Sequence, residues 1–149
     1  MGTTGKLTLF HQGRAQEAGM NQPILFVSHW AVQPGALNRL RQLSEEVAAR
    51  FRAEKPRTLS WLAYLNGSGT TISFVHLFAD GEAMDLHIEA AAAGREASKD
   101  LIEPRGWEIY GSPSDSALDQ MRRTAESAGV PLRLEPEILA GGFLRLAPA

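Results

Sequence analysis

The sequence predicts an α+β domain built on an antiparallel sheet, and three observations carry that reading. β-rich runs and amphipathic helical periods alternate in the order β-α-β-β-α-β. Asn66-Gly67-Ser68-Gly69 punctuates the two middle strands as a hairpin. The strands are apolar on both of their alternating faces, as expected of a sheet covered on both sides.

Taken in order, Ile24 to Trp30 is a β-rich run ended by Pro34-Gly35. From Ala36 the period changes: Leu40, Leu43, Val47 and Phe51 recur at three- and four-residue steps, which predicts an amphipathic helix stopped by Lys55-Pro56. Strands are expected over Thr58 to Leu65 and Thr70 to Phe78. Asp80 is the expected N-cap of a second helix carrying Met84, His87, Ile88 and Ala91, with Gly94 as its stop. Arg95 to Pro104 reads as a loop or ragged helix, and Trp107 to Tyr110 as the fourth strand. This is the split βαβ order of a ferredoxin-like fold. Beyond it, Ser114 or Asp115 should cap a third helix with Leu118, Met121, Ala125 and Ala128, ended by Gly129. Val130 to Leu134 and Gly142 to Leu146 read as short strands or extended segments. Residues 1–22 are expected to form a flexible appendage, with Met20 as an alternative beginning, and residues 23–149 a single domain.

Composition narrows the function classes. A chain of 149 residues with 44% hydrophobic content has the length for one proper core. The formal charge of -2, with both signs interspersed, argues against a nucleic-acid partner, which needs a clustered basic face. No cysteine is present, which removes disulfides, thiolate metal sites and a cysteine nucleophile and makes the cytoplasm the default expectation. No run approaches the roughly 18–20 apolar residues of a membrane span, and residues 1–19 lack the apolar core of a secretory signal.

If the two main helices cover one sheet face, the other still carries large apolar side chains. Each is worth roughly 1.5–3 kcal/mol on burial, and a whole face of them is too large a patch for a soluble monomer. A second copy of the chain, pairing sheet to sheet about a twofold axis, is the expected cover; folding-over of the C-terminal extension is the other option.

Three local patterns sit on this frame: Val32-Gln33-Pro34-Gly35-Ala36 between the first strand and helix; Phe74 to Asp80, followed by Ala83-Met84 and His87-Ile88; and Ile109-Tyr110-Gly111-Ser112-Pro113-Ser114. Over roughly Ile24 to Pro113 the chain resembles the antibiotic-biosynthesis-monooxygenase family of dimeric α+β barrels. The resemblance implies a homodimer and a small aromatic or quinol-type substrate handled without a cofactor. The family's haem-degrading members carry an Asn on the first strand and a Trp near the end of the third, where Ser28, His29 and Phe78 stand here. The glutamate often found in the third strand is His76 here, so neither haem degradation nor quinol chemistry carries over directly.

Oxygenation without flavin or metal asks for an apolar pocket, a base of near-neutral pKa and a donor for the developing oxyanion. Histidine suits the base role. The first and third strands should be antiparallel neighbours. If His29 and His76 both point away from the helices they meet in one cleft, with Tyr64 on the second strand as a phenolic donor. Trp61, Phe74, Phe78 and His87 are the expected substrate-pocket residues, with Trp30 and Trp107 as further candidates for a planar ligand. No metal set is expected, because two histidines without a nearby carboxylate make a poor one. Two functions follow: a cofactor-independent monooxygenase acting on a small aromatic or quinol-type molecule, or a non-catalytic small-ligand-binding or interaction dimer of the same fold. A wide apolar cleft with convergent polar groups favours the first, and a barrel packed solid favours the second.

Overall fold

The computed structural model describes residues 22–139 and 142–145. Five strands and three helices follow in chain order: β1 (Ile24–Val32), α1 (Leu37–Glu54), β2 (Thr58–Leu65), β3 (Thr71–Phe78), α2 (Gly81–Ser98), β4 (Ile102–Tyr110), α3 (Asp115–Ala128) and β5 (Leu132–Glu135). The sheet order is β2-β3-β1-β4-β5. The first four strands are antiparallel in the ferredoxin-like arrangement, and β5 adds to the β4 edge in parallel. The expected α+β class and βαββαβ order therefore hold, with α3 and β5 as the C-terminal extension. The expected appendage, residues 1–22, lies outside the described residues except for Gln22.

Local chemistry explains most boundaries. The β2–β3 hairpin closes because Asn66 Oδ1 accepts hydrogen bonds from the Thr70 and Thr71 amides at 2.9 and 3.1 Å. Gly69 supplies the positive φ of 69° that the reversal requires. Asp80 caps α2 by accepting from the Ala83 amide at 3.0 Å, and its carboxylate also pairs with Arg57. Ser114, rather than Asp115, is the cap of α3: its Oγ accepts from the Ala117 amide at 3.0 Å and donates to Asp85 Oδ1 at 2.6 Å. Gly129 ends that helix in the left-handed conformation, φ 66°.

Two sequence expectations are corrected here. Gly94 does not stop α2, which runs on to Ser98. Nothing lies within contact of a Cβ at Gly94, and Arg95, Glu96 and Ala97 are good helix formers that carry the helix past it. Residues 95–104 are consequently not a loop: they hold the last turn of α2, a tight turn, and the start of β4 at Ile102. Pro104 disguised that strand. It is tolerated because it sits opposite Trp30 beside the bulge at His29/Trp30, where β4 has no paired neighbour on its outer side among the described residues. Residues 142–145 adopt no regular structure, and Leu146 lies outside the described residues.

Side-chain alternation sorts the sheet into two faces. Ile24, Phe26, Ser28 and Trp30 of β1 point to the helices, as do Ile72, Phe74, His76 and Phe78 of β3 and Trp107 and Ile109 of β4. The main core gathers Ile24, Phe26, Phe78, Met84, Ile88, Trp107, Ile109 and Met121 between the sheet, α2 and α3. Helix α1 contributes only Leu40 as a fully buried side chain. Its Leu43, Val47 and Phe51, on the stripe expected to be core, remain half-buried and roof a cavity instead.

Candidate functional site

The cavity lies between the helix-facing side of the sheet and the pair α1 and α2, and its volume is about 400 Å³. β1 supplies Phe26, Ser28 and Trp30 to its wall, β2 supplies Trp61, and β3 supplies Phe74 and His76. Phe51 comes from α1, His87 and Ile88 from α2, and Trp107 from β4. Trp61 stacks on Phe74 with ring centroids 5.4 Å apart, and Phe51 meets Trp61 edge-on at 5.9 Å. A slot walled by such rings suits a flat apolar body.

The titratable groups buried in this wall are two imidazoles. His76 and His87 are 4% and 9% exposed, and their ring centroids are 4.5 Å apart. Phe26 and Phe78 flank both of them. Nδ1 of each ring is buried without a hydrogen-bond partner among the described residues. An unmet buried polar atom costs about 1–3 kcal/mol, so a pair of them in an otherwise apolar wall is an expense that folding alone does not explain. Their chemistry follows from that burial. Desolvation pushes the His87 imidazolium down to a pKa of about 3, helped by the positive charges of Lys55 and Arg95. His76 is likewise held well below its ordinary value, by desolvation first and then by His87, with a hydrogen bond to the Phe26 backbone opposing the shift. Both rings are therefore neutral at physiological pH, each with one nitrogen free to accept a proton.

The sequence expectation that His29, His76 and Tyr64 form one cleft is corrected by register. Antiparallel pairing sets Phe26 opposite His76 but His29 opposite Ser73, so the two histidines stand on opposite faces of the sheet. Tyr64 also pairs with Ser73 and shares the outer face with His29, where it is 58% exposed. Of the expected pocket residues, Trp61, Phe74 and His87 do line the cavity beside His76. Phe78 stands behind them, fully buried and stacked on His76 at 5.7 Å. Trp30 and Trp107 line the cavity as well. Residues not singled out from the sequence are Phe26, Phe51, Lys55 and Arg95. Phe51 was visible only as one member of the α1 stripe, and Lys55 as part of a helix stop. The pairing of His76 with His87 had a signal: one is four residues before the α2 cap on an inward strand position, the other seven residues after it.

His29 has its own surroundings. Its Nδ1 shares a hydrogen bond with Ser73 Oγ at 2.8 Å, and its Nε2 lies 3.6 Å from Glu108 Oε2, to which the Tyr110 hydroxyl donates at 3.2 Å. A serine, a histidine and a carboxylate in line have the composition of a hydrolytic triad. Ser73, however, sits mid-strand in β3 between two paired neighbours. The backbone N–H groups around it are engaged in the ladders, so no oxyanion hole can form there.

No protein-family model and no curated protein sequence matches the chain. Among solved structures it is similar to MupZ from Pseudomonas fluorescens, at a TM-score of 0.64 and 15% identity over 84% of this chain and 96% of that one. It is also similar to protein SO0527 from Shewanella oneidensis, at 0.49 and 17% over 60% and 87% of the two chains. A further structure, from Chloroflexus aurantiacus J-10-fl and provisionally assigned as an antibiotic biosynthesis monooxygenase, aligns at 0.46 and 11% over 59% and 90%. The βαββαβ unit, residues 24–110, is less than three-fifths of the chain. The likeness to MupZ therefore runs on into the α3–β5 extension, and what it establishes is a shared α+β fold.

Proposed function

We propose that this protein is a cofactor-independent monooxygenase acting on a small planar phenolic or quinol-type molecule held in the cavity. The observation that carries the reading is the pair of buried imidazoles in an aromatic wall, each with an Nδ1 that has no partner among the described residues. A phenol or an acidic ring C–H placed against one of the two imidazoles that line the cavity gives up its proton to that ring. The resulting anion and imidazolium, both desolvated, stabilise each other far more than they would in water. The electron-rich anion then reacts with O₂ at carbon to give a peroxide, which takes back the proton. Loss of water from the hydroperoxide leaves a carbonyl on the ring, with one oxygen atom in the product and one in water. Because the free imidazoles are neutral far below pH 6.5, the base form is present across the neutral range. The acid limb of kcat/KM should accordingly fall below pH 5.

Oxygen uptake measured against a panel of naphthohydroquinones and anthrones, with denatured protein as the autoxidation control, tests this. His76→Leu and His87→Leu are expected to lower turnover by about 10²-fold or more each, within the range of general-base catalysis. Turnover that survives both changes excludes the imidazoles as the base. A second reading, a non-catalytic binder of the same ligands, is favoured by the very depression of the His87 pKa, which makes a weak base. Tight binding with no oxygen uptake would select it.

The same proposal includes a homodimer through the outer sheet face. Leu25, Val27, Val75 and Leu77 form a half-buried apolar centre there, and Leu62 extends it at 47% exposure. His29, Ser73, Glu108 and Tyr110 lie at its polar side. An apolar centre with a polar rim is the anatomy of an isologous interface. Sedimentation should give a dimer at micromolar concentration and a monomer for Val27→Glu. A monomeric wild-type chain would overturn the pairing.

A further inference from the structure

The rim of the cavity carries an excess of positive charge that nothing in the chemistry above uses. Around its aromatic interior stand Arg50, Lys55 and Arg95 against the single carboxylate of Glu54. A second, more open cavity shares Trp30, Trp107, Ile102 and Arg95 with the first and so continues it toward solvent. It adds Lys99 and Arg123 against Glu103. Glu103 already faces Arg105 at 3.3 Å, and Lys99 is paired with Glu96. Arg95, which is half-buried, and Arg123 have no ion-pair partner among the described residues. The whole chain carries a formal charge of -2, so this concentration of unpaired cations is local.

We propose that the cavity takes a planar aromatic molecule bearing an anionic group, its rings against Trp61, Phe74 and the histidine pair and its anion at the Arg95–Arg123 mouth. The inference rests on the reading that the cavity is a ligand site and adds the charge of the ligand. Arginine is the side chain suited to this task, since its planar fork meets a carboxylate, sulfonate or phosphate with two parallel hydrogen bonds. The neutral imidazoles do nothing to offset the field of Lys55 and Arg95, which Glu54 alone opposes at the rim, and that field already opposes a proton on His87. A cationic ligand would meet the same opposition, while an anionic one would relieve it.

The test uses the full chain, with 6-hydroxy-2-naphthoate and its methyl ester as probes of equal ring shape and different charge. Quenching of tryptophan fluorescence reports binding, because Trp30, Trp61 and Trp107 all line the cavity. The acid is expected to bind about tenfold or more tightly than the ester at low salt, with the preference shrinking as salt rises. The double variant Arg95→Gln, Arg123→Gln should abolish that preference and leave the affinity for the ester within about twofold. Arg122→Gln, on the neighbouring exposed position of α3, should leave the preference intact. Equal binding of acid and ester by the wild type, or a preference that survives the double variant or falls equally in Arg122→Gln, overturns the anion subsite. The ligand-site reading survives each of those results. Failure of both probes to bind counts against both.

Discussion

Acidification from pH 7 to pH 5 is expected to destabilise this protein by about 2 kcal/mol through His87, with His76 adding to the loss in the same direction. The sign follows from where the protons go. In the folded chain burial holds both imidazoles below their ordinary range, to about 3 for His87. In the unfolded chain each returns to about 6.5. Between those values the unfolded state holds more protons, so stability is complete above pH 6.5 and is lost as pH falls through the window toward 3. The slope contributed by His87 is about 1.4 kcal/mol per pH unit. Lys55 and Arg95 are the cations bearing on His87, and both keep their charge through this range, so neither reverses the trend. Urea denaturation at pH 7, 6 and 5 measures it. The double variant His76→Leu, His87→Leu should lose the slope in this window and be no less stable than the wild type at pH 7, because two unmet polar groups have been replaced by apolar ones. A wild type equally stable at both pH values would contradict the assignment of neutral buried rings.

Phe78→Ala should cost about 3–5 kcal/mol, a large part of the roughly 5–15 kcal/mol by which an ordinary domain is stable. Phe78 is fully buried, its ring lies 5.7 Å from His76 and 5.2 Å from His87, and it belongs to the core shared by the sheet and α2. Removing it leaves a hole that polar rings, held by strand and helix, cannot collapse into. Leu62→Ala is the contrasting change. At 47% exposure on the outer face it should cost less than about 1 kcal/mol in the monomer. Urea midpoints for the two variants make the comparison, and a Phe78→Ala midpoint close to that of Leu62→Ala would mean that the core is not where the structure puts it.

Particular residues explain what could be read from the sequence and what could not. Hairpin, caps and strand order were legible because Asn66, Asp80, Ser114 and Gly129 act on backbone groups within a few residues of themselves. Gly94 and Pro104 misled for the same reason in reverse: a local breaker was overruled by helix formers in one case and by a bulge with a free strand edge in the other. Alternation correctly grouped Phe74, His76 and Phe78 on one side of β3, and Leu25, Val27 and His29 on one side of β1. Which group of one strand shares a face with which group of the next is a matter of register, and register is set by contacts between distant parts of the chain. That single unknown separated His29 and Tyr64 from His76 and gave His76 a different partner, His87. Likewise the Leu40 to Phe51 stripe announces an apolar face, and only the placement of α1 over the sheet decides that most of it roofs a cavity rather than filling a core.

Titration of the imidazole carbon resonances by NMR, in the free protein, addresses the buried histidine pair most directly. His76 and His87 are expected to keep the chemical shifts of neutral rings from pH 7.5 down to at least pH 5 and to respond there only to an added phenolic ligand. Two ordinary titrations with midpoints near 6.5 would show rings open to water, and the base, the acid-labile fold and the site between sheet and helices would fall together.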